Sequence, residues 1–133
     1  MGCFEARRRV AKDRIGAIQW IELEKAIASG DLEPWRGLIA PFADLDHVAC
    51  KVSGLVTEAS WATWTVADLQ LYVDHAIEVF GPTRLLFGSD WPVCLLAAEY
   101  ERWFDAAQEL TAGLASDERD AVFGGTADDF YGL

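Results

Sequence analysis

Two short apolar runs, each closing on a serine–glycine pair, limit the folds open to this chain more than any other feature. His47 to Val52 ends at Ser53-Gly54, and Arg84-Leu85-Leu86-Phe87-Gly88 leads into Ser89-Asp90. Neither run alternates apolar with polar residues, so each strand needs cover on both faces, as in a parallel sheet flanked by helices. Between them Leu69, Tyr72, Val73, Ala76, Ile77 and Phe80 recur at helical spacing. Thr65 and Asp68 make a capping-box pattern at the start of that helix, and Gly81-Pro82 stops it. Strand, helix, strand in this order is a βαβ unit, and the class is α/β.

The flanking segments read as helices. Trp35, Leu38, Ile39, Phe42 and Leu45 recur at helical spacing after Pro34, which suits a first helical turn. A loop, LVTEASWATW, separates the first strand from the capped helix. A long helix is expected across Leu96, Tyr100, Trp103, Phe104, Ala107 and Leu110. Ser116 and Thr126 then open two short helices, the second with Asp129 as its capping-box acid. Gly124-Gly125-Thr126 reads as a helix stop followed by a new cap, and no glycine-rich phosphate loop follows either strand.

Charge and composition exclude several classes. A net charge of −11 over 133 residues gives an acidic surface that repels phosphates, which argues against a nucleic-acid partner. No apolar stretch approaches the roughly 20 residues of a membrane helix, so no membrane partner is expected. Three cysteines, at 3, 50 and 94, form no CxxC pair, which points to a reducing compartment and hence the cytoplasm. The start of the chain is unlike the rest. Arg7, Arg8, Arg9, Lys12 and Arg14 stand against Glu5 and Asp13 in the first 15 residues. IGAIQWI resembles the apolar part of a signal peptide, but Gln19 interrupts it and ELEK follows. An amphipathic helix carrying Val10, Ile18 and Ile21 on one side is the better reading.

Ligands of parallel α/β folds sit at the carboxyl ends of the strands, which singles out Ser53 to Trp64 and Ser89 to Cys94. Asp90 follows a strand and a Gly-Ser pair, where a carboxylate can serve as general base, general acid or hard metal ligand. Asp is also a favoured N-cap, so the pattern equally allows Asp90 to cap the helix that follows. Trp61, Trp64 and Trp91 could line a sugar-sized cleft or could simply pack the loops.

The stretches KVSGLVTEASW, YVDHAIEVFGPTRLLFGSDWPVCLLAAEYERW and ERDAVFGGTADDFYGL resemble the C-terminal end of the amidohydrolase-2 proteins. Within that family they are most similar to the sugar-lactonase branch, related to L-fuconolactonase and L-rhamnonolactonase. The resemblance runs from about Gly30 to Leu133. It implies a (β/α)8 barrel in which KVSGL ends the seventh strand and LLFGSDWPV forms the eighth. Asp90 then matches the strand-eight aspartate that activates the attacking water and, in metal-using members, touches the metal. A divalent ion, zinc or similar, is implied for the intact fold, with Asp90 as a ligand only in a completed barrel.

The departures matter as much. The family's N-terminal part supplies a histidine pair and a further histidine, whereas this chain has no HxH, and His47 and His75 match no ligand position. No metal set is evident from the chain itself. A whole barrel takes about 250 residues. The expected architecture is therefore a partial (β/α)8 (TIM-barrel) fold: the last two to three βα units plus C-terminal helices. Residues 30–133 form that part, and 1–29 a basic N-terminal helical segment outside the resemblance, a replaced or misjoined beginning. Two functions follow. One is a fragment of a sugar-lactone hydrolase with Asp90 as its catalytic carboxylate and Trp61, Trp64 and Trp91 around the substrate. The other is a non-catalytic half-barrel remnant or interaction module, completed by self-association or by an N-terminal half.

Overall fold

The structure, a computed structural model, describes residues 5–8, 27, 29–33 and 35–133. Its centre is a three-stranded sheet of β1 (Glu5–Arg8), β2 (Val48–Val52) and β3 (Leu85–Phe87), in that order. β2 and β3 run parallel, with Cys50 opposite Leu85 and Val52 opposite Phe87. They are connected through the short α2 (Leu55–Glu58) and the long α3 (Val66–Phe80), so the βαβ unit forms as expected. β1 pairs antiparallel with the other edge of β2, Glu5 opposite Lys51 and Arg8 opposite Val48. This departs from the helix expected over 1–29. The exposed edge of β2 offers unpaired N–H and C=O groups that an extended segment satisfies. The helix side formed by Val10, Ile18 and Ile21, and the role of Pro34, lie outside the described residues.

The helices form where local sequence directs them, with three corrections. α1 (Trp35–Ile39) does not run on to Leu45: it tightens into a 3₁₀ turn, Ala40–Asp44, with Pro41 near its start. Proline lacks the N–H an α-helix would use there, and its ring disfavours helical geometry in the residue before it. The long helix α4 (Tyr100–Leu110) begins later than expected, and Leu95 and Leu96 lie partly exposed in or beside a 3₁₀ turn, Val93–Leu96. Finally, Gly124-Gly125 does not stop a helix. α5 (Ser116–Asp120) passes through a wide π-turn, Ala121–Gly125, into α6 (Thr126–Tyr131), and Gly125 is helical at φ −57°. Thr126 caps nothing; it is buried, and its hydroxyl donates to the Pro82 carbonyl. The capping box at Thr65 and Asp68 forms as read, with the Asp68 carboxylate accepting from Thr65 N–H at 2.8 Å.

One apolar core lies between the sheet and these helices. Val48, Cys50, Val52 and Leu85 face Trp35, Ile39, Leu69, Tyr72, Val73, Ala76, Trp103, Ala107 and Val122. Because side chains alternate along a strand, Ala49 and Lys51 of β2 and Leu86 of β3 fall on the opposite face. Among the described residues no helix is long and apolar enough to cross a membrane.

At the amino end of β3, Arg84 joins three segments. Its Nε donates to Phe80 O at 2.9 Å and Nη2 to Ala43 O and Val79 O at 2.9 and 3.1 Å. Nη1 donates to Phe42 O, Leu45 O and Val48 O at 3.1, 2.8 and 3.4 Å. Five N–H groups thus serve six carbonyls, and the guanidinium also lies 5.5 Å from the Phe80 ring centroid. A lysine has the charge but not the planar fork. Arg84→Lys should lower the urea midpoint, and Arg84→Ala should cost about 3 kcal/mol or more, since several carbonyls lose a charged donor. A midpoint unchanged in Arg84→Lys would show that charge alone suffices.

Candidate functional site

The carboxyl ends of β2 and β3 are held by main-chain hydrogen bonds and by one buried indole. Gly88 N–H donates to Val52 O at 3.0 Å, continuing the parallel ladder one residue past β3. Gly88 O accepts from Trp103 Nε1 at 3.0 Å, and Trp103 stacks on Phe87 with ring centroids 6.0 Å apart. Phe87 also contacts Phe104 and Phe123, at 5.6 and 5.3 Å between centroids. Gly88 is required by close approach. A Cβ there would lie 2.8 Å from Lys51 Cε and 2.9 Å from Ser53 Cβ. The aliphatic stem of Lys51 therefore runs beside the glycine, on the sheet face away from the helices.

Two residues on, Asp90 has φ 54°, in the left-handed region that Asp and Asn tolerate better than most residues. Backbone strain of this kind concentrates where a side chain must be aimed. Asp90 O accepts from Cys94 N–H at 2.9 Å, and Trp91 N–H donates to Ser89 Oγ at 3.2 Å. The Asp90 side chain caps no α-helix: α4 begins ten residues later, with Glu99 at its N-cap. Of the two readings the pattern left open, the helix-cap one is excluded. Asp90 Oδ2 is buried and accepts no hydrogen bond among the described residues. Burial raises its pKa above the ordinary carboxylate value, and the charge of Lys51 works in the other direction.

The three tryptophans separate. Trp91 is 64% exposed and Trp61 52%, the latter with its indole N–H on Thr57 O at 2.8 Å. Trp64 is a core residue, 3% exposed, donating to Ala97 O at 3.0 Å, with Arg102 stacked 4.2 Å from its ring. It offers no open aromatic wall. Cys50 and Cys94 are buried, and burial raises both thiols above their ordinary value, Cys94 further by the Asp90 charge, so neither is an activated nucleophile. His75 is buried in α3, with Nδ1 3.2 Å from Glu78 Oε2 and its ring edge-on to Trp35. His47 lies in the turn before β2, at the opposite end of the strand from Ser53, about 20 Å of extended chain away.

A structural zinc site takes four N, O or S ligands and a catalytic one at least three. No group of three or more His, Cys, Asp or Glu is placed to hold a metal among the described residues. Asp90 brings one carboxylate, and the neighbouring cation, Lys51, disfavours a second positive charge. These residues do not by themselves fit a divalent ion. The two side chains that pattern reading missed are Lys51 and Trp103. A lysine inside the apolar run VACKV was the available signal.

A family model described as amidohydrolase matches residues 17–133. An L-fucono-1,5-lactonase of Burkholderia multivorans is 45% identical over 113 residues, covering 77% of this chain and 36% of that protein. An L-fucono-1,5-lactonase of Burkholderia ambifaria is 38% identical over 109 residues, covering 79% and 37%. A crystal structure of a Burkholderia multivorans amidohydrolase with bound zinc superposes with a TM-score of 0.77 at 43% identity, over 81% of this chain and 40% of that one. Its counterpart with bound HEPES superposes with a TM-score of 0.78 at 42% identity, over 83% and 42%. The chain belongs to the amidohydrolase family, and it spans about 36% to 42% of the length of these relatives.

Two outcomes test the site. Gly88→Ala should lower stability by about 1–3 kcal/mol, because Ser53 Cβ sits on a rigid strand and cannot give way. Unchanged thermal unfolding would contradict the close approach. For Asp90, a raised folded-state pKa means that the folded protein binds the proton more tightly than the unfolded one. The resulting stability is fully present below about pH 4, the ordinary carboxylate value, and is lost as pH rises through the raised value. The Tm of the wild type relative to Asp90→Asn should fall across that window, and a difference flat with pH would refute the buried-carboxylate account.

Proposed function

We propose that this chain is the strand-seven and strand-eight end of a (β/α)8 sugar-lactone hydrolase, with Asp90 as its water-activating carboxylate. The observation that carries the reading is Asp90 Oδ2, buried at the carboxyl end of β3 with no hydrogen-bond partner among the described residues. A carboxyl left without a donor at a strand end costs stability, and a catalytic role accounts for that cost. The raised pKa brings the group closer to neutral pH, where a general base works best. Names carried by the relatives point to an L-fucono-1,5-lactone-like substrate.

Asp90 accepts a proton from water as the water oxygen bonds to the lactone carbonyl carbon. The tetrahedral adduct then collapses, the ring C–O bond breaks, and the protonated Asp90 returns its proton to the departing ring oxygen. Water is consumed and a hydroxy acid released. Exposed Trp91 and Trp61 supply flat apolar surface for the sugar ring. No step is assigned to a metal ion, since the described residues do not make a site for one. Free Cys50 and Cys94 agree with a reducing compartment, and the reading places the protein in the cytoplasm.

Assays on sugar 1,4- and 1,5-lactones, with and without added zinc, test this beside Asp90→Asn. Turnover should be lost by at least about 10²-fold in the variant, the usual contribution of a general base. A wild-type rate no greater than that of buffer would sink the enzymatic reading. The alternative, a non-catalytic half-barrel module that needs a partner, is favoured by one observation: the sheet order ends at β3, whose outer edge has no strand partner among the described residues. Sedimentation showing a monomer that turns over lactone would exclude it.

A further inference from the structure

We propose that Trp103 and Trp64 are positioning residues: their indole N–H groups clamp the two ends of the loop from Gly88 to Ala97 and so hold Asp90 in its left-handed conformation. The inference rests on the lactone-hydrolase reading for what Asp90 does, and deepens it.

The loop has little packing of its own. Of residues 89–97 only Cys94 and Ala97 are buried, while Trp91, Leu95 and Leu96 are turned to solvent. Its internal bonds are short-range ones: Cys94 N–H to Asp90 O at 2.9 Å, Leu95 N–H to Pro92 O at 3.1 Å and Ala97 N–H to Cys94 O at 3.0 Å. An aspartate at φ 54° is strained relative to the ordinary backbone regions, and such strain persists only where the surroundings hold it.

The holding groups come from outside the loop. Gly88 O accepts from Trp103 Nε1 at 3.0 Å, and Ala97 O accepts from Trp64 Nε1, also at 3.0 Å. Both indoles are core residues, Trp103 with no exposure and Trp64 at 3%. An indole carries one donor on a rigid frame, so a packed tryptophan fixes where its acceptor sits. The two anchors are also tied to each other. Arg102, the residue before Trp103 in α4, lies 4.2 Å from the Trp64 ring centroid and donates from Nη2 to Trp64 O at 3.2 Å. Trp64 leads straight into the capping box of α3 at Thr65. The first turns of α3 and α4 thus set the span from Gly88 to Ala97. With that span set and buried Cys94 bonded to Asp90 O, the backbone at Asp90 has no free path back to a negative φ. A base held in one geometry needs no rearrangement before it meets water.

The measurement is amide hydrogen exchange in the 133-residue chain, read at Cys94 N–H against Val73 N–H within α3. Trp103→Phe and Trp64→Phe each keep an aromatic ring and lose the donor. Trp35→Phe, whose ring packs on Tyr72 and His75 of α3, is the control for lost core packing. Each donor variant is expected to speed Cys94 exchange relative to Val73 by at least about tenfold, with the ratio unchanged in Trp35→Phe. In an Asp90→Gly background the donor substitutions should lose most of that effect, because glycine takes φ 54° without strain. Circular dichroism checks folding, and Trp64→Phe decides should Trp103→Phe not fold. A ratio unmoved in a folded donor variant overturns the proposal, and so does an effect equally large beside Asp90→Gly. In the lactone assay Trp103→Phe should lower kcat at least about tenfold with KM within about twofold of wild type. The two readings fail separately. Wild-type turnover with kcat kept in Trp103→Phe removes the clamp alone. Indole-dependent exchange without turnover of any lactone removes the enzymatic reading alone.

Discussion

The packing of this chain depends on Arg84. One guanidinium at the amino end of β3 gathers carbonyls from the end of α3, from the turn after α1 and from the first residue of β2. Two of the carbonyls it reaches, Phe42 O and Leu45 O, already accept a main-chain N–H, from Leu45 and Val48, and the guanidinium adds a charged donor to each. Joining these carbonyls with one charged fork fixes how the α1 region approaches the sheet and where β3 begins. Position along β3 then determines everything at its other end. Three strand residues, a glycine and a serine separate the Arg84 anchor from Asp90, so the carboxylate is placed from a rigid base and not from a loop tip.

The two ends of the sheet differ in what they ask of their residues. At the amino end Arg84 partners six main-chain carbonyls. At the carboxyl end Gly88 is locked by Val52 and Trp103, after which Asp90 is left in a left-handed conformation with a buried oxygen that has no partner among the described residues. Stability alone would favour Asn or Gly at position 90. The combination of a well-anchored strand end and a poorly satisfied carboxylate is expected where binding or catalysis, not folding, selects the residue.

Much of the secondary structure was legible because its determinants are local. Thr65 and Asp68 are three residues apart and form their capping box without outside help, and Gly81 ends α3 as its position implied. The errors arose where distant contacts outweighed local preference. Thr126 looks like an N-cap, but its hydroxyl is used by Pro82, 44 residues away in sequence, and the helix runs through Gly124-Gly125. Trp64 and Trp91 are indistinguishable as letters near strand ends. The carbonyl of Ala97 and the stacked Arg102 put one in the core, while the other stays in solvent.

By itself the sequence determined the α/β class, the parallel strand pair and the family, because these reside in apolar runs, caps and contiguous motifs such as FGSDWPV. It also placed Asp90 at a strand end. Only the tertiary structure decided the surroundings of Asp90, since those depend on where Glu99 begins α4, on what fails to reach Oδ2 among the described residues and on the path of Lys51 past Gly88. Periodicity reports which face a residue occupies. It cannot report which groups from other segments arrive on that face, nor the burial and charge they bring to a carboxylate there.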